Sequence, residues 1–251
     1  MPSFWKLFDE YTLKARVFPA LIATAPLILV IAFAVPWDRL SWTQGLAAVA
    51  VPILLWVAAD IARQLGQALE ERLFAKWGGK PSTVMLRHSE QSPLVDAATR
   101  DHHLPFLGKK IAARPPTREE ELANPSAADI FYGRCGNWLR ENTRDKKIFR
   151  LLFEENVTYG YRRNLYALKP ISLSVDCLLI VLTAVYFYYA QPAFGSDPAL
   201  KVLAVVAFSM LHLLFFISLV KEPPIREAAE GYARQLFLCC ETLNKPRVRN
   251  K

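Results

Sequence analysis

The sequence lacks the common signatures of catalysis. It has only ten glycines, and they form no phosphate-binding loop. It contains no His-Glu-x-x-His motif, no Gly-x-Ser-x-Gly elbow and no Cys-x-x-Cys pair. Its four cysteines have no zinc-type spacing, so we expect them to be reduced thiols. The sequence therefore argues against an enzyme and predicts no catalytic residue, metal or cofactor.

The cluster Asp101-His102-His103 has the chemistry of metal ligands but not the geometry. Adjacent residues of a helix point about 100° apart, which makes neighbouring histidines poor joint ligands of one ion. We therefore favour a packed or solvated helix face over a metal site at these residues.

Long apolar runs are what the sequence does contain. Hydrophobic residues make up 53% of the chain while 22% of its residues are charged, so the two classes must be segregated. Each run is close to the length that crosses about 30 Å of hydrocarbon. Because backbone amides in lipid must be satisfied within the segment, the runs are expected to be helical. Four transmembrane helices are predicted, at residues 17–35, 45–62, 171–190 and 203–220.

The distribution of lysine and arginine predicts the orientation. Residues 64–170 hold eighteen of them and the tail after Val220 holds seven, whereas the turns inside each pair hold only Arg39 and Lys201. Basic segments stay on the cytoplasmic side. We therefore expect a multi-pass protein of the bacterial inner membrane with both termini in the cytoplasm.

The predicted fold class is an all-α membrane protein in which two helical pairs flank a mostly helical cytoplasmic domain. A cytoplasmic N-terminal segment, the first pair, the domain, the second pair and a C-terminal amphipathic helix with a basic tail are predicted at 1–16, 17–62, 63–170, 171–220 and 221–251. The second transmembrane helix is expected to continue to Trp77 and to end at Gly78-Gly79. A helix over 148–168 is expected to lead to the third, with a break at Lys169-Pro170.

Within the domain, several shorter elements are predicted. Residues 82–87 suit a short strand or an extended stretch. Thr117 to Glu120 match a capping box that begins a short helix. A second helix is expected from Pro125 to about Arg144, and an amphipathic helix over 225–243 follows Pro223-Pro224.

Two ionisable residues interrupt the apolar runs. Asp176 lies about six residues into the third predicted span, and His212 lies in the cytoplasmic half of the fourth. A carboxylate in hydrocarbon is costly, so Asp176 must face a partner, water or another subunit. One interpretation is a pore-lining or gating pair, with Ser172 and Ser174 as further polar lining. The other is an interhelical hydrogen bond that only fixes packing.

Basic residues cluster in and beside the helix that leads to the third span. They suit contacts to an anionic ligand such as a nucleotide or oligonucleotide, and nearby tyrosines suit stacking on its bases. They equally suit a belt at the membrane interface. The candidates are Arg144, Lys146, Lys147, Arg150, Arg162 and Arg163.

Several segments together resemble a family of bacterial four-span membrane proteins. They are YTLKAR at 11–16, PTREEE at 116–121, AAD at 127–129, NWLRE at 137–141, ENVTYGYRRNL at 155–165 and REAAEGYA at 226–233. In layout the chain is similar to membrane effectors of bacterial anti-phage defence, including the channel subunit of the Hailong system. That resemblance implies a homo-oligomeric channel controlled by a partner nucleotidyltransferase and its nucleotide product.

The leading hypothesis is accordingly a defence-type membrane channel that is gated through its cytoplasmic domain by a nucleotide, nucleic acid or protein partner. Four helices with so few polar groups cannot enclose an aqueous path alone, so conduction requires a homo-oligomer in the lipid bilayer. The alternative is a non-conducting receptor or scaffold that recruits a cytoplasmic partner.

Overall fold

The computed structural model describes residues 9–34, 43–88 and 94–245, with side chains for all of them except 34 and 43–52. The chain divides into two compact units. The membrane unit comprises Met1–Leu69 and Gly160–Ile225, and the polar unit comprises Glu70–Tyr159 and Arg226–Lys251.

The described residues are helical throughout their regular structure and contain no β-strand. A π-helical segment, Leu13–Val17, joins the first two α-helices. The α-helices are α1 (Glu10–Thr12), α2 (Phe18–Ala34), α3 (Thr43–Lys76), α4 (Pro81–Val84), α5 (Ala97–Lys110), α6 (Arg118–Ala123), α7 (Pro125–Asn142), α8 (Arg150–Ala190), α9 (Asp197–Ser218) and α10 (Pro223–Asn244). The predicted all-α class is thus confirmed for the part of the chain that the structure describes.

Three helical stretches are long and apolar enough to cross a membrane: Glu10–Phe33, Arg150–Ala190 and Asp197–Ser218. They confirm a membrane protein with transmembrane helices. The predicted second span, 45–62, falls in α3, but the side chains of its first part lie outside the described residues. The count of four spans therefore stays a prediction.

Helix α3 has 34 residues and ends where two glycines follow it. The Gly79 N–H donates to Phe74 O (2.8 Å) and the Gly78 N–H donates to Ala75 O (3.4 Å). Gly78 and Gly79 have φ angles of 80° and 136°, which side chains strongly disfavour. This hydrogen-bond pattern is a Schellman motif, so the predicted end of the helix is confirmed.

The predicted break at Lys169-Pro170 is wrong, because α8 continues through Pro170 for 41 residues. A proline inside a helix removes one hydrogen bond, here the bond from residue 170 to Tyr166 O, and the remaining bonds of a long helix can keep it continuous. Beside the proline, Lys169 Nζ donates to Val220 O (2.8 Å) and Ser174 Oγ donates to Pro170 O (2.9 Å). The first of these bonds holds α8 to the segment that follows α9.

The polar unit packs its helices around one core. The core includes Met85, Leu107, Tyr132, Leu139, Phe237 and Cys240.

The capping box at Thr117 and Glu120 is confirmed, and α7 and α10 lie close to their predicted bounds. The predicted strand or extended stretch at 82–87 is wrong, because Pro81 begins a helical turn there. Helix α5 contains residues 101–103, where a helix face was expected, but its bounds were not predicted.

Candidate functional site

The polar side chains of the membrane unit lie on buried stripes of its helices. On α9 the buried residues Val205, Ser209, His212 and Phe216 recur every three or four positions. The outer faces are apolar, with Leu203, Leu211 and Leu214 all more than half exposed. Polar groups therefore face the interior of a single chain, where each needs a partner.

Asp176 and His212 are partners of one another. Asp176 Oδ2 lies 2.8 Å from His212 Nδ1, joining α8 to α9. The Asp176 side chain is fully buried and that of His212 is 6% exposed. The two candidates that the sequence singled out are thus brought together as an interhelical pair; whether they also gate a pore stays a prediction.

A third helix joins this pair because of a proline. His212 Nε2 lies 2.8 Å from Ile22 O on α2. In a helix that carbonyl would accept the N–H of residue 26, but residue 26 is proline and has none. Pro26 therefore leaves Ile22 O open to the imidazole of His212.

The same device recurs seven residues earlier. Pro19 cannot donate to Ala15 O, four residues before it, and Asn164 Nδ2 on α8 donates to that oxygen at 2.6 Å. Asn164 is fully buried. Seven residues are close to two helical turns, so the carbonyls of Ala15 and Ile22 face the same side of the helical stretch Glu10–Phe33. Asn164 was missed from the sequence; a proline four residues after a carbonyl in a membrane helix is the signal that points to such a partner.

Gly66 on α3 fits against Asn164 without space to spare. A Cβ atom at residue 66 would lie 2.0 Å from Asn164 Oδ1. The Asn164 amide cannot turn away freely, because Nδ2 is bonded to Ala15 O and Oδ1 accepts from Arg163 Nε (3.2 Å) and Nη2 (3.1 Å). The hydrogen bonds of Asn164 thus leave room only for glycine at residue 66 of α3.

The two serine candidates lie in different surroundings. Ser172 is buried and its Oγ donates to Leu168 O at 3.1 Å. Ser174 is exposed and lines a shallow groove together with Pro170 and Leu178. Of the four pore candidates, Ser174 is the one on the outer surface of the chain.

Two polar atoms in this interior have no hydrogen-bond partner among the described residues. They are Asp176 Oδ1 and Ser209 Oγ, and both side chains are fully buried. An unpaired carboxylate oxygen in a dry interior is costly while the group carries its charge. This observation constrains the protonation of the Asp176–His212 pair.

The basic candidates do not form one patch within either unit. Arg144, Lys146, Lys147 and Arg150 are exposed residues of the polar unit. Lys146 Nζ and Arg150 Cζ lie 5.5 Å and 5.9 Å from the centre of the Phe153 ring, so one aromatic ring supports two cations. This ring and its cations form the exposed basic segment that suits an anionic ligand.

Arg162 and Arg163 belong to the membrane unit and serve its packing. Arg163 is 8% exposed, with its guanidinium on Asn164 Oδ1. Arg162 Nη1 donates to Pro224 O at 2.8 Å. Arg163, a ligand candidate from the sequence, is thus buried with its guanidinium on an amide oxygen, and its ligand role stays a prediction.

A second buried network holds the polar unit together. The Glu121 carboxylate accepts Tyr132 O–H at 2.7 Å and the His88 N–H at 3.0 Å and 3.1 Å. Burial and the bond to Glu121 raise the pKa of Tyr132, so its hydroxyl keeps its proton. Arg87 next to it forms two bonds to Asp129, at 2.8 Å and 2.7 Å. These contacts fix the segment around residue 88 to α6 and α7.

His103 gives the polar unit a predictable dependence on pH. Burial, and secondly the charge of His102, lower the pKa of His103, whereas Glu241 raises it. Its Nδ1 is buried without a partner. Because the folded pKa lies below the unfolded one, this contribution to stability is present above about pH 6.5 and is lost as the pH falls.

We therefore expect the polar unit to lose stability between about pH 7 and pH 5, by at most about 1.4 kcal/mol per pH unit from this group. The His103→Leu variant should show a shallower fall in chemical denaturation, while exposed His102→Gln should retain most of the fall, because burial is the larger cause. Equal slopes for wild type and His103→Leu would contradict the assignment.

Comparison of the chain with protein-family models, curated proteins and solved structures finds no match.

Proposed function

We propose that the chain is a subunit of a homo-oligomeric channel in the bacterial inner membrane, that its basic cytoplasmic part controls conduction, and that it acts in defence against phage. Helix α8 is the observation that supports the proposal. It begins at exposed Arg150, continues unbroken to Ala190 and carries Asp176 within its apolar stretch. The helix that carries the ligand candidate Arg150 therefore also carries Asp176, the partner of His212.

In this proposal the ligand is an anionic nucleotide, an oligonucleotide or a protein partner. Exposed Arg144, Lys146, Lys147 and Arg150 supply the positive charge. Arg150 and Asp176 both belong to α8. Binding at one end would bias the helix contacts at the other, and a partner nucleotidyltransferase is the proposed source of the ligand.

The path for ions lies between copies of the chain. Ser172, Asp176, Ser209 and His212 face the interior of the membrane unit, and the outer face of α8 carries Leu178, Val181 and Leu182 at 53% to 58% exposed. Ser174 and Cys177 are polar or thiol groups on the exposed surface of that helix. We therefore assign the exposed surface of α8, rather than Asp176, to subunit contacts beside the path.

The test is electrical recording from the full chain in planar bilayers, with and without oligonucleotides. Discrete unitary currents that respond to the oligonucleotide are expected, and the Lys146→Glu/Lys147→Glu variant should lose the response but keep the current. A Lys201→Glu variant, on a different helix, is the matched control and should behave as wild type. Silent bilayers at every condition, from protein shown to be folded and inserted, would reject the channel.

Native cysteines allow a test of the oligomer. Burial raises the pKa of Cys135 and Cys240 to about 12 and that of Cys239 to about 11, so these buried thiols react slowly. Cys177 is exposed on α8. Oxidative or bis-maleimide cross-linking in membranes should therefore yield a dimer band that Cys177→Ser removes.

Cross-links through amines without any through Cys177 would place the subunit contact elsewhere than on α8. A band at the mass of one chain with both kinds of reagent would contradict the oligomer.

A non-conducting receptor or scaffold is the second candidate, favoured by the mutual pairing of Asp176 and His212 inside one chain. It predicts no current together with capture of a cytoplasmic partner by the basic segment. The same recordings, combined with co-purification from cells, separate the two functions.

A further inference from the structure

We propose that Asp176 and His212 form a proton-binding site inside the membrane unit, and that the bound proton allows one imidazole to hold α9 to both α2 and α8. The ligand is a single proton taken from water. This inference is independent of whether the oligomer conducts, because it concerns hydrogen bonds within one chain.

Hydrogen-bond accounting leads to this conclusion. Ile22 O can only accept, so His212 Nε2 must carry a hydrogen for their 2.8 Å contact to be a hydrogen bond. An otherwise neutral imidazole then has no hydrogen on Nδ1. The lone pair of Nδ1 would face an ionised Asp176 Oδ2 at 2.8 Å, which is repulsive. A second hydrogen must therefore lie between Nδ1 and Oδ2.

That hydrogen makes the pair electrically neutral, wherever it resides. With the hydrogen on Oδ2, both side chains are uncharged. With it on Nδ1, an imidazolium faces a carboxylate. Either arrangement holds one proton more than an ionised aspartate beside a neutral histidine, and neither places net charge in hydrocarbon. Asp176 Oδ1 is buried and has no hydrogen-bond partner among the described residues, which agrees with a neutral pair. If the carboxylate carried an uncompensated charge, burying this oxygen without a partner would cost much free energy.

Release of the proton to water would leave the pair with one negative charge. The imidazole would then hold one N–H for two acceptors, Asp176 on α8 and Ile22 on α2. It could satisfy one of them, and the other would face a lone pair. Deprotonation therefore detaches α9 from one of its two neighbours, which is a change in helix contacts.

Other titratable groups of the surrounding helices are engaged elsewhere. On α3, Asp60 is bonded to Arg63 and Gln64. On α8, Lys169 donates to Val220 O, and Cys177 is exposed.

On the first helix Arg16 lies over the Tyr11 ring, and on α9 Lys201 pairs with Asp197. The hydrogen bonds of Asp176 and His212 reach none of these groups. The shared hydrogen thus concerns Asp176, His212 and Ile22 O alone.

Substitution by asparagine replaces the shared hydrogen with a permanent donor. In Asp176→Asn an amide N–H takes the place of the shared hydrogen and donates to Nδ1, while Nε2 still donates to Ile22 O. The helix links should persist without a bound proton. In Asp176→Leu the donor is absent, and the link between α8 and α9 is lost.

The experiment is ¹⁵N NMR of histidine-labelled full chain in lipid bilayers as the pH is raised. The chain has four histidines. The His212 signal is assigned by its loss in His212→Gln, or in His88→Gln/His102→Gln/His103→Gln, where it alone remains. We expect a hydrogen on Nε2 and a second hydrogen on Nδ1 or bonded to it.

The Asp176→Asn variant should keep the Nε2 hydrogen over the whole range, while wild type either holds both hydrogens throughout or loses one at high pH. His102→Gln is the matched control and should leave the His212 signal unchanged. A neutral His212 in wild type with hydrogen on Nδ1 and a bare Nε2, in folded protein at neutral pH, would overturn the proposal.

Discussion

The Gly66→Ala variant is expected to lose about 3 kcal/mol of the free energy of unfolding of the membrane unit. Its new Cβ would lie 2.0 Å from Asn164 Oδ1 and 3.0 Å from Arg163 Nε. Overpacking a filled site costs about 1–3 kcal/mol. Moving the amide aside would also break the bond to Ala15 O, which at 2.6 Å joins α8 to the first helix.

Titration of the purified protein from a mild detergent into SDS would measure this loss. Gly133→Ala is the matched control, since no atom lies within 4 Å of its new Cβ. It should be neutral or stabilising by up to about 1 kcal/mol, as expected for alanine in a helix. If the clash is the cause, Gly66→Ala/Asn164→Ala loses less than the sum of the single variants. Strict additivity would disprove the steric account.

Removing the Glu121 carboxylate should destabilise the polar unit by a similar amount, about 3 kcal/mol for Glu121→Ala. Two donors, Tyr132 O–H and His88 N–H, would lose their acceptor. An unsatisfied buried donor costs about 1–3 kcal/mol. Tyr132 is fully buried, so water cannot replace the carboxylate at its hydroxyl without opening the core.

Urea denaturation followed by tryptophan fluorescence, with Trp138 as a reporter in this unit, is the measurement. Glu119→Ala, an exposed neighbour on the same helix, should change stability far less than Glu121→Ala. Tyr132→Phe in the Glu121→Ala background should recover part of the loss, because it deletes an orphaned hydroxyl. Failure of Glu121→Ala to exceed its control would show that the network contributes nothing.

Local rules predicted much of this fold. Apolar runs indicated helices at α2, α8 and α9, Gly78-Gly79 ended α3, and Thr117 began α6. The errors occurred where a proline has two possible outcomes. Pro170 was expected to end a helix but lies inside one, and Pro81 begins a helical turn where an extended stretch was expected. Packing against neighbouring helices decides such cases, and packing is not a local property.

The residues of the candidate site were likewise predicted only in part. Asp176 and His212 were recognisable as costly groups in apolar runs, but Asn164 lies among charged and aromatic residues that conceal it. Helix geometry alone could identify Ala15 O and Ile22 O as open acceptors. Their donors lie 149 and 190 residues further along the chain, a separation that sequence periodicity cannot bridge.

The carbonyls that Pro19 and Pro26 leave without a helix donor also have a consequence during synthesis of the chain. Translation proceeds at about 5–20 residues per second, so Ile22 enters the bilayer on the order of 10–40 s before His212 has been made. Until then a backbone oxygen in lipid lacks its partner, at a cost of several kcal/mol. A nascent chain that ends before α9 therefore keeps an unpaired carbonyl at Ile22 in α2. A membrane quality-control protease could recognise an incomplete chain by this carbonyl.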